Sequence, residues 1–211
     1  MMFALDSPLV RFLNRFADLM ILNLLFLVTA LPIVTLGAAL TALSGTAMRL
    51  ARGESESVTG DYLRALRRDL RPGMLLGLVV AGLGLVLAAW WTVIGGLAVP
   101  GLVRILLYAV CGVLAFRLTV VALFAFPYLA TFDDGLRTVL RNARLMSVRH
   151  AFASLALLMV TGLPVVVTVF YPQVVVFGLL WFLFGFAGVA YLAGIVLTGV
   201  FATYAPKLAL S

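Results

Sequence analysis

Residues 16–50 read FADLMILNLLFLVTALPIVTLGAALTALSGTAMRL, with Asp18 and Arg49 as the charged members and Pro32 near the centre. How this stretch is divided decides the fold. As one helix it would be about 52 Å long, far more than a ~30 Å hydrocarbon core accepts. As a hairpin broken at Pro32, it gives arms Phe16–Leu31 and Ile33–Leu50, each about 24–27 Å long, which local thinning of the bilayer accommodates. Whether such arms cross fully or form a short re-entrant hairpin is left open by length alone. Charge selects the hairpin. A single crossing would put Arg49 and the Arg-rich stretch after it opposite Arg11 and Arg15, whereas a hairpin puts all of them on one side, as basic residues prefer in cytoplasmic loops.

The rest of the 211-residue chain extends this reading. Apolar types make up 64% and charged types 11%, under half of the roughly 25% charge of soluble domains. Too few charges exist to cover a water-soluble globule, and disorder requires low hydrophobicity. Four further apolar stretches follow: Met74–Val99, Leu102–Phe126, Ala151–Phe170 and Val174–Thr203, separated at Pro100-Gly101, at a basic segment and at Tyr171-Pro172. Six crossings put both termini in the cytoplasm. The inner segments 1–18, 49–72, 127–150 and 204–211 then hold thirteen of the fifteen basic residues, leaving Arg104 and Arg117 in the fourth helix. The expected fold is an all-α polytopic membrane protein: a single domain, 1–211, of six transmembrane helices in three hairpins, N-in and C-in, with short amphipathic cytoplasmic helices. The net charge of +7 is read as topology and not as nucleic-acid binding, because no basic segment carries aromatics placed to stack bases. The first helix is read as retained, since Asp6 and Asp18 are out of place in the n-region of a signal peptide.

A basic amphipathic segment precedes each hairpin. Leu9, Phe12, Leu13 and Phe16 oppose Arg11 and Arg15, after a Ser7-Pro8 start signal. Arg64, Arg67, Arg68 and Arg71 share a face opposite Leu63, Leu66 and Leu70. Arg137, Arg141 and Arg144 oppose Leu136, Val139, Leu140 and Ala143. Such stripes suit anionic lipid headgroups or an acidic partner surface.

Several motifs together carry a resemblance. Asp6-Ser7-Pro8-Leu9 and Arg11-Phe12-Leu13-Asn14 lead into Ala17-Asp18-Leu19 and Leu22-Asn23-Leu24-Leu25. Leu31-Pro32-Ile33-Val34-Thr35, Gly37-Ala38, Thr41-Ala42-Leu43 and Arg49-Leu50-Ala51-Arg52-Gly53-Glu54 follow. A second segment comprises Phe126-Pro127-Tyr128-Leu129-Ala130, Asp133, Leu140, Asn142-Ala143 and Arg149-His150. This succession resembles the YesL-like family of bacterial membrane proteins, although Arg71-Pro72 departs from the family's usual ending of the Arg-rich segment. The resemblance implies residence in the bacterial cytoplasmic membrane and an accessory role near carbohydrate import or its sensing, beside a sugar-importer or sensor-kinase subunit. It implies no catalytic residues.

Among single residues, Arg117 lies about 16 Å along its helix from Tyr128 and about 22 Å from Leu102, near mid-bilayer. An Arg at that depth is expected to face the bundle and find a partner; Asn23 and Asp18, at reachable depths, are the candidates, as a structural clamp or a substrate contact. Arg104 is expected to snorkel to the outer headgroups, and His150, Tyr128 and Tyr204 to anchor at the inner interface. Asp133-Asp134 complements the start of the third amphipathic helix. Cys111 is read as a packing residue. Gly37, Thr41 and Gly45 form a small-residue face, with Ala38, Ala42 and Thr46 on the next; such spacing suits close helix packing within the chain or in a homo-oligomer.

Three functions are weighed. The leading one is an accessory or regulatory membrane protein with a stable partner. The second is a small transporter or channel acting alone, suggested by Pro-broken helices and Arg117. An intramembrane enzyme ranks last: no Ser/His/Asp set, metal-ligand pair or phosphate-binding Gly loop is present. The chain is expected to be neither an enzyme nor a cofactor carrier.

Overall fold

The computed structural model describes residues 8–132, 134–171, 173 and 178–204. Among them are eight α-helices and no strand. Six stretches are long and apolar enough to cross a membrane: Phe12–Ala30, Ile33–Arg52, Leu70–Gly96, Gly101–Thr131, Ala151–Phe170 and Trp181–Ala202. The all-α, multi-pass reading follows from these.

Helix α1 spans Pro8–Ala30. No Gly or Pro interrupts it after Pro8, so the first amphipathic segment is not a separate helix as expected but the opening turns of α1. Pro32 stops the helix, and a 3₁₀ turn, Ile33–Thr35, reverses the chain. Thr35 fastens the reversal, its Oγ1 donating to the carbonyls of Thr29 (2.6 Å) and Pro32 (2.8 Å). Helix α2, Leu36–Arg52, ends at Gly53, whose φ of +75° is the left-handed conformation that glycine adopts without strain.

Helix α3, Val58–Arg68, is capped by Ser57, whose side chain accepts from Gly60 N–H. One residue, Asp69, joins it to α4, Leu70–Gly96. The guanidinium of Arg68 grips both oxygens of Asp69 at 2.8 Å. The third span therefore starts at Leu70, before the expected Met74. Pro72 falls in its first turn, where a missing N–H costs no helix bond.

Helix α5, Gly101–Thr131, carries Pro127 within it and runs past the expected end at Phe126. Helix α6 is Leu136–Arg149, and α7, Ala151–Phe170, holds Pro164 within it. One π turn, Trp181–Gly185, precedes α8, Phe186–Ala202. Ser7, Asp133, Pro172 and the expected start of the sixth span at Val174 lie outside the described residues.

Helix α2 is the packing centre: ten of its seventeen residues are buried, against three of twenty-seven in α4. One apolar cluster joins α1, α2, α3 and α8 through Leu22, Phe26, Leu43, Tyr62 and Ala187. A second joins α4 to α8 through Leu76, Phe124, Val139, Leu157 and Leu197.

The hairpins are staggered. Gly37, in the first turn of α2, lies against Gly73 and Gly77 in the first turns of α4; a Cβ on Gly37 would fall 2.7 Å from the Cα of Gly77. The α1–α2 turn therefore sits beside the early part of α4, with Ile33 85% exposed at its tip. From Gly77 to Gly96, α4 continues for about 28 Å. There α4 and α5 pair with each other: Trp91 packs on Tyr108 (centroids 4.6 Å apart), and Cys111 Sγ meets the Leu87 carbonyl at 3.5 Å. Leu83, Leu85, Val86, Leu106 and Val110 turn outward along this arm.

Candidate functional site

The polar residues gather at the end of the bundle where α2 and α5 finish and α3 lies. A cavity of about 470 Å³ opens there, within the 300–1,000 Å³ range of ligand pockets. The last turns of α2 supply Thr46, Arg49 and Arg52; α3 supplies Asp61, Arg64 and Arg68; the end of α5 supplies Ala130 and Thr131. Arg49 and Arg52 stand where a helix C-terminus favours cations. The three-residue spacing of Asp61 and Arg64 on α3 brings their side chains together.

Asp61 is the acid in this wall and is 4% exposed. Its Oδ1 accepts from Arg64 Nη2 at 2.5 Å and lies 3.7 Å from Arg49 Nη2. Its Oδ2 accepts from Ser55 Oγ at 2.8 Å. Arg52 pairs with Glu54 (2.8 Å), and Arg68, besides gripping Asp69, donates to the Ala130 carbonyl at the end of α5 (2.8 Å). The cavity wall thus carries four guanidiniums and one carboxylate. Behind it, Tyr62 is fully buried, and its hydroxyl meets Thr29 Oγ1. Burial pushes the Tyr62 phenol up to about 12, with the Thr29 hydrogen bond acting in the opposite sense.

The expected Arg stripe is thereby divided. Arg64 and Arg68 line the cavity, whereas Arg67 is exposed outside it and Arg71 belongs to α4. On α6, Arg137, Arg141 and Arg144 are exposed. Arg144 shares a second cleft, about 340 Å³, with Arg117, between Val79, Leu83, Leu114 and Leu140.

The expected cluster of Arg117, Asn23 and Asp18 does not form. Helix α1 packs on α2, α3 and α8, while Arg117 is exposed on the α5 face that meets α4 and α6. Asn23 is fully buried and is consumed by the π turn. Its amide donates to the carbonyls of Trp181 (3.0 Å) and Phe182 (2.7 Å), and its oxygen accepts from Ala187 N–H (3.0 Å). Asp18 is half-buried on α1.

The small-residue face is used within the chain. Thr41 donates to the Gly37 carbonyl at 2.9 Å, Gly37 meets α4, and Gly45 faces Ala130 of α5. Arg104 folds back to the Leu97 carbonyl (2.8 Å) in place of reaching outward. His150 Nε2 meets Tyr204 Oη at 2.9 Å, tying the start of α7 to the end of α8. Tyr128 does more than sit at an interface: it donates to Asp134 (2.7 Å) and accepts from Asn142 (2.8 Å), pinning α6 to α5. Asp134 thus serves a side chain, and α6 begins at Leu136.

Sequence reasoning passed over Asp61 and took Thr46 for a packing residue. The signal for Asp61 was an acid with an Arg three places on, inside a segment otherwise basic. Thr46 had no signal, because a Thr facing a cavity and a Thr facing a helix look alike in a sequence. Among the described residues, no three His, Cys, Asp or Glu side chains are grouped to hold a metal ion.

Residues 19–91 match a family described as a protein of unknown function, DUF624. The match runs from α1 through most of α4 and includes the α2 and α3 walls of the cavity. It marks a likeness over roughly a third of the chain. No curated protein and no solved structure matches the chain.

Proposed function

We propose that this multi-pass membrane protein is an accessory or regulatory component, without catalytic activity, that works beside a partner in the bacterial cytoplasmic membrane. Carbohydrate uptake or its sensing is the setting that the YesL-like resemblance implies. The carrying observation is the division of polar groups. Asn23, deep in α1, is spent on holding α1 to α8, while most of the arginines cluster at one end around α3 and on α6. A protein that transports needs polar groups left over along a path; a protein that docks needs them on a face. The positive-inside rule puts that face in the cytoplasm.

The test is purification of the tagged protein from its native membrane in mild detergent, with mass spectrometry of what accompanies it. Importer or sensor-kinase subunits in fixed proportion support the reading. Recovery of the protein alone sinks the stable-partner role. The second reading, transport by this chain alone, draws on the π turn and on Pro164 in the neighbouring α7, since broken helices line many transporter sites. It requires flux in liposomes containing no other protein.

A further inference from the structure

We propose that the 470 Å³ cavity between α2, α3 and α5 binds a phosphate-bearing anion. The inference stands on this geometry and not on the accessory role.

Thr46 is the first observation. A helical Ser or Thr ordinarily returns its hydroxyl to the carbonyl one turn back. In this chain Thr41 does so to Gly37, Ser44 to Leu40, Thr119 to Ala115, Thr131 to Pro127 and Thr161 to Leu157. Thr46 does not: it is 1% exposed, it lines the cavity, and its Oγ1 has no hydrogen-bond partner. A buried hydroxyl left unpaired is costly. An oxygen of a ligand in the cavity would accept its proton.

The arginines are the second. Arg49, Arg52, Arg64 and Arg68 converge from two helices on one space. Guanidinium forks match the oxygens of phosphate and carboxylate in planar pairs. Arg52, Arg64 and Arg68 each hold a carboxylate, Glu54, Asp61 and Asp69 in turn, whereas Arg49 reaches Asp61 only at 3.7 Å. A ligand's oxygens would therefore meet Thr46 Oγ1 and Arg49, with the other three guanidiniums adding charge around them. A phosphate offers three or more acceptor oxygens and up to two charges. Glu54 and Asp69 temper the field from outside the wall through Arg52 and Arg68. The carbonyl ends of α2 and α5 oppose an anion, but Arg68 already caps Ala130. The space also exceeds what phosphate alone fills, so an organic remainder of the ligand is accommodated. Two sources offer this chemistry: the headgroup of an anionic phospholipid and a water-soluble phosphate ester.

The experiment uses the full chain purified in detergent. Native mass spectrometry follows retention of added phosphatidylglycerol, and a thermal-shift titration with inorganic phosphate and glycerol 3-phosphate follows the soluble arm. The wild type is expected to hold one such ligand. Thr46→Val, which removes only the hydroxyl, is expected to weaken it roughly tenfold, and Arg49→Gln at least as much. Arg141→Gln, on α6 away from the cavity, serves as the control and leaves it unchanged. Arg64 is spared, because its loss would strand buried Asp61. Retention of phosphatidylglycerol alone assigns the lipid source; a shift with the soluble probes assigns the other. Binding of no probe by the wild type, or binding by Thr46→Val and Arg49→Gln equal to the wild type, overturns the proposal. A chain that purifies alone yet binds phosphate defeats the stable-partner reading and leaves this one standing.

Discussion

The side chain of Asn23 completes the backbone of α8 at Ala187. In the π turn before α8, the N–H of Ala187 finds its acceptor in the Asn23 amide oxygen at 3.0 Å, and the freed carbonyls of Trp181 and Phe182 take the amide's two protons. Every donor and the acceptor oxygen of the side chain are used. Helix α1 is thus joined to α8 by a residue that acts as part of its partner's ladder.

Asn23→Leu is expected to strand these three backbone groups. At ~1–3 kcal/mol for each buried group left unpaired, and with some relaxation of the turn, a loss of about 3–5 kcal/mol follows. Thermal unfolding in detergent measures it. Amide exchange at Ala187 should rise before that of Leu197 does. An unchanged melting temperature would show that the π turn closes without the amide.

Gly37 and Gly77 let the backbones of α2 and α4 touch. Gly37→Ala puts a methyl group into backbone that cannot yield, and a loss of at least ~1–3 kcal/mol is expected. Gly82→Ala, which meets nothing within 4 Å, is the matched control. It should be neutral or stabilising by up to ~1 kcal/mol. Equal effects of the two substitutions would contradict the close contact.

Tyr62 gives stability an alkaline limit. Its phenol is held up to about 12 from an ordinary 10.0 by burial. The folded state therefore keeps a proton that the unfolded state releases. Stability from this group is complete below about pH 10 and is lost as pH rises toward 12, by roughly 2–3 kcal/mol in all. Tyr62→Phe should flatten unfolding curves over that window while costing ~1 kcal/mol at neutral pH for the Thr29 hydrogen bond. A slope that persists in the variant would place the titration elsewhere.

Arg117 shares its cleft with Arg144 and apolar walls. Replacing it with Leu removes one of two like charges and the expense of a guanidinium among apolar helices. Arg117→Leu is expected to match or exceed the wild type in thermal stability. A marked loss would reveal a binding partner for Arg117.

How legible was this in the sequence? The spans were, because hydropathy and the positions of thirteen basic residues obey one-dimensional rules. Pro32 as a turn was legible too, since it falls between two arms of the right length. Pro127 was not: a proline near a helix end reads as a stop, yet the helix continues through it to Thr131. The partner of Asn23 was hidden because it is backbone, and backbone carries no letter. Arg117 was misplaced because depth along a helix says nothing of azimuth. The four-Arg cavity needed α2 and α3, joined by residues 53–57, to fold onto one another before Arg49 and Arg64 could share Asp61.

The staggered hairpins also set what the lipid meets. The tip of the α1–α2 turn ends beside the early part of α4, and past it the outward side chains of α4 and α5, among them Leu83, Leu85, Val86, Leu106 and Val110, are apolar and exposed. The length mismatch between α2 and α4 thus leaves to acyl chains the space beside α4 that a longer hairpin would have filled.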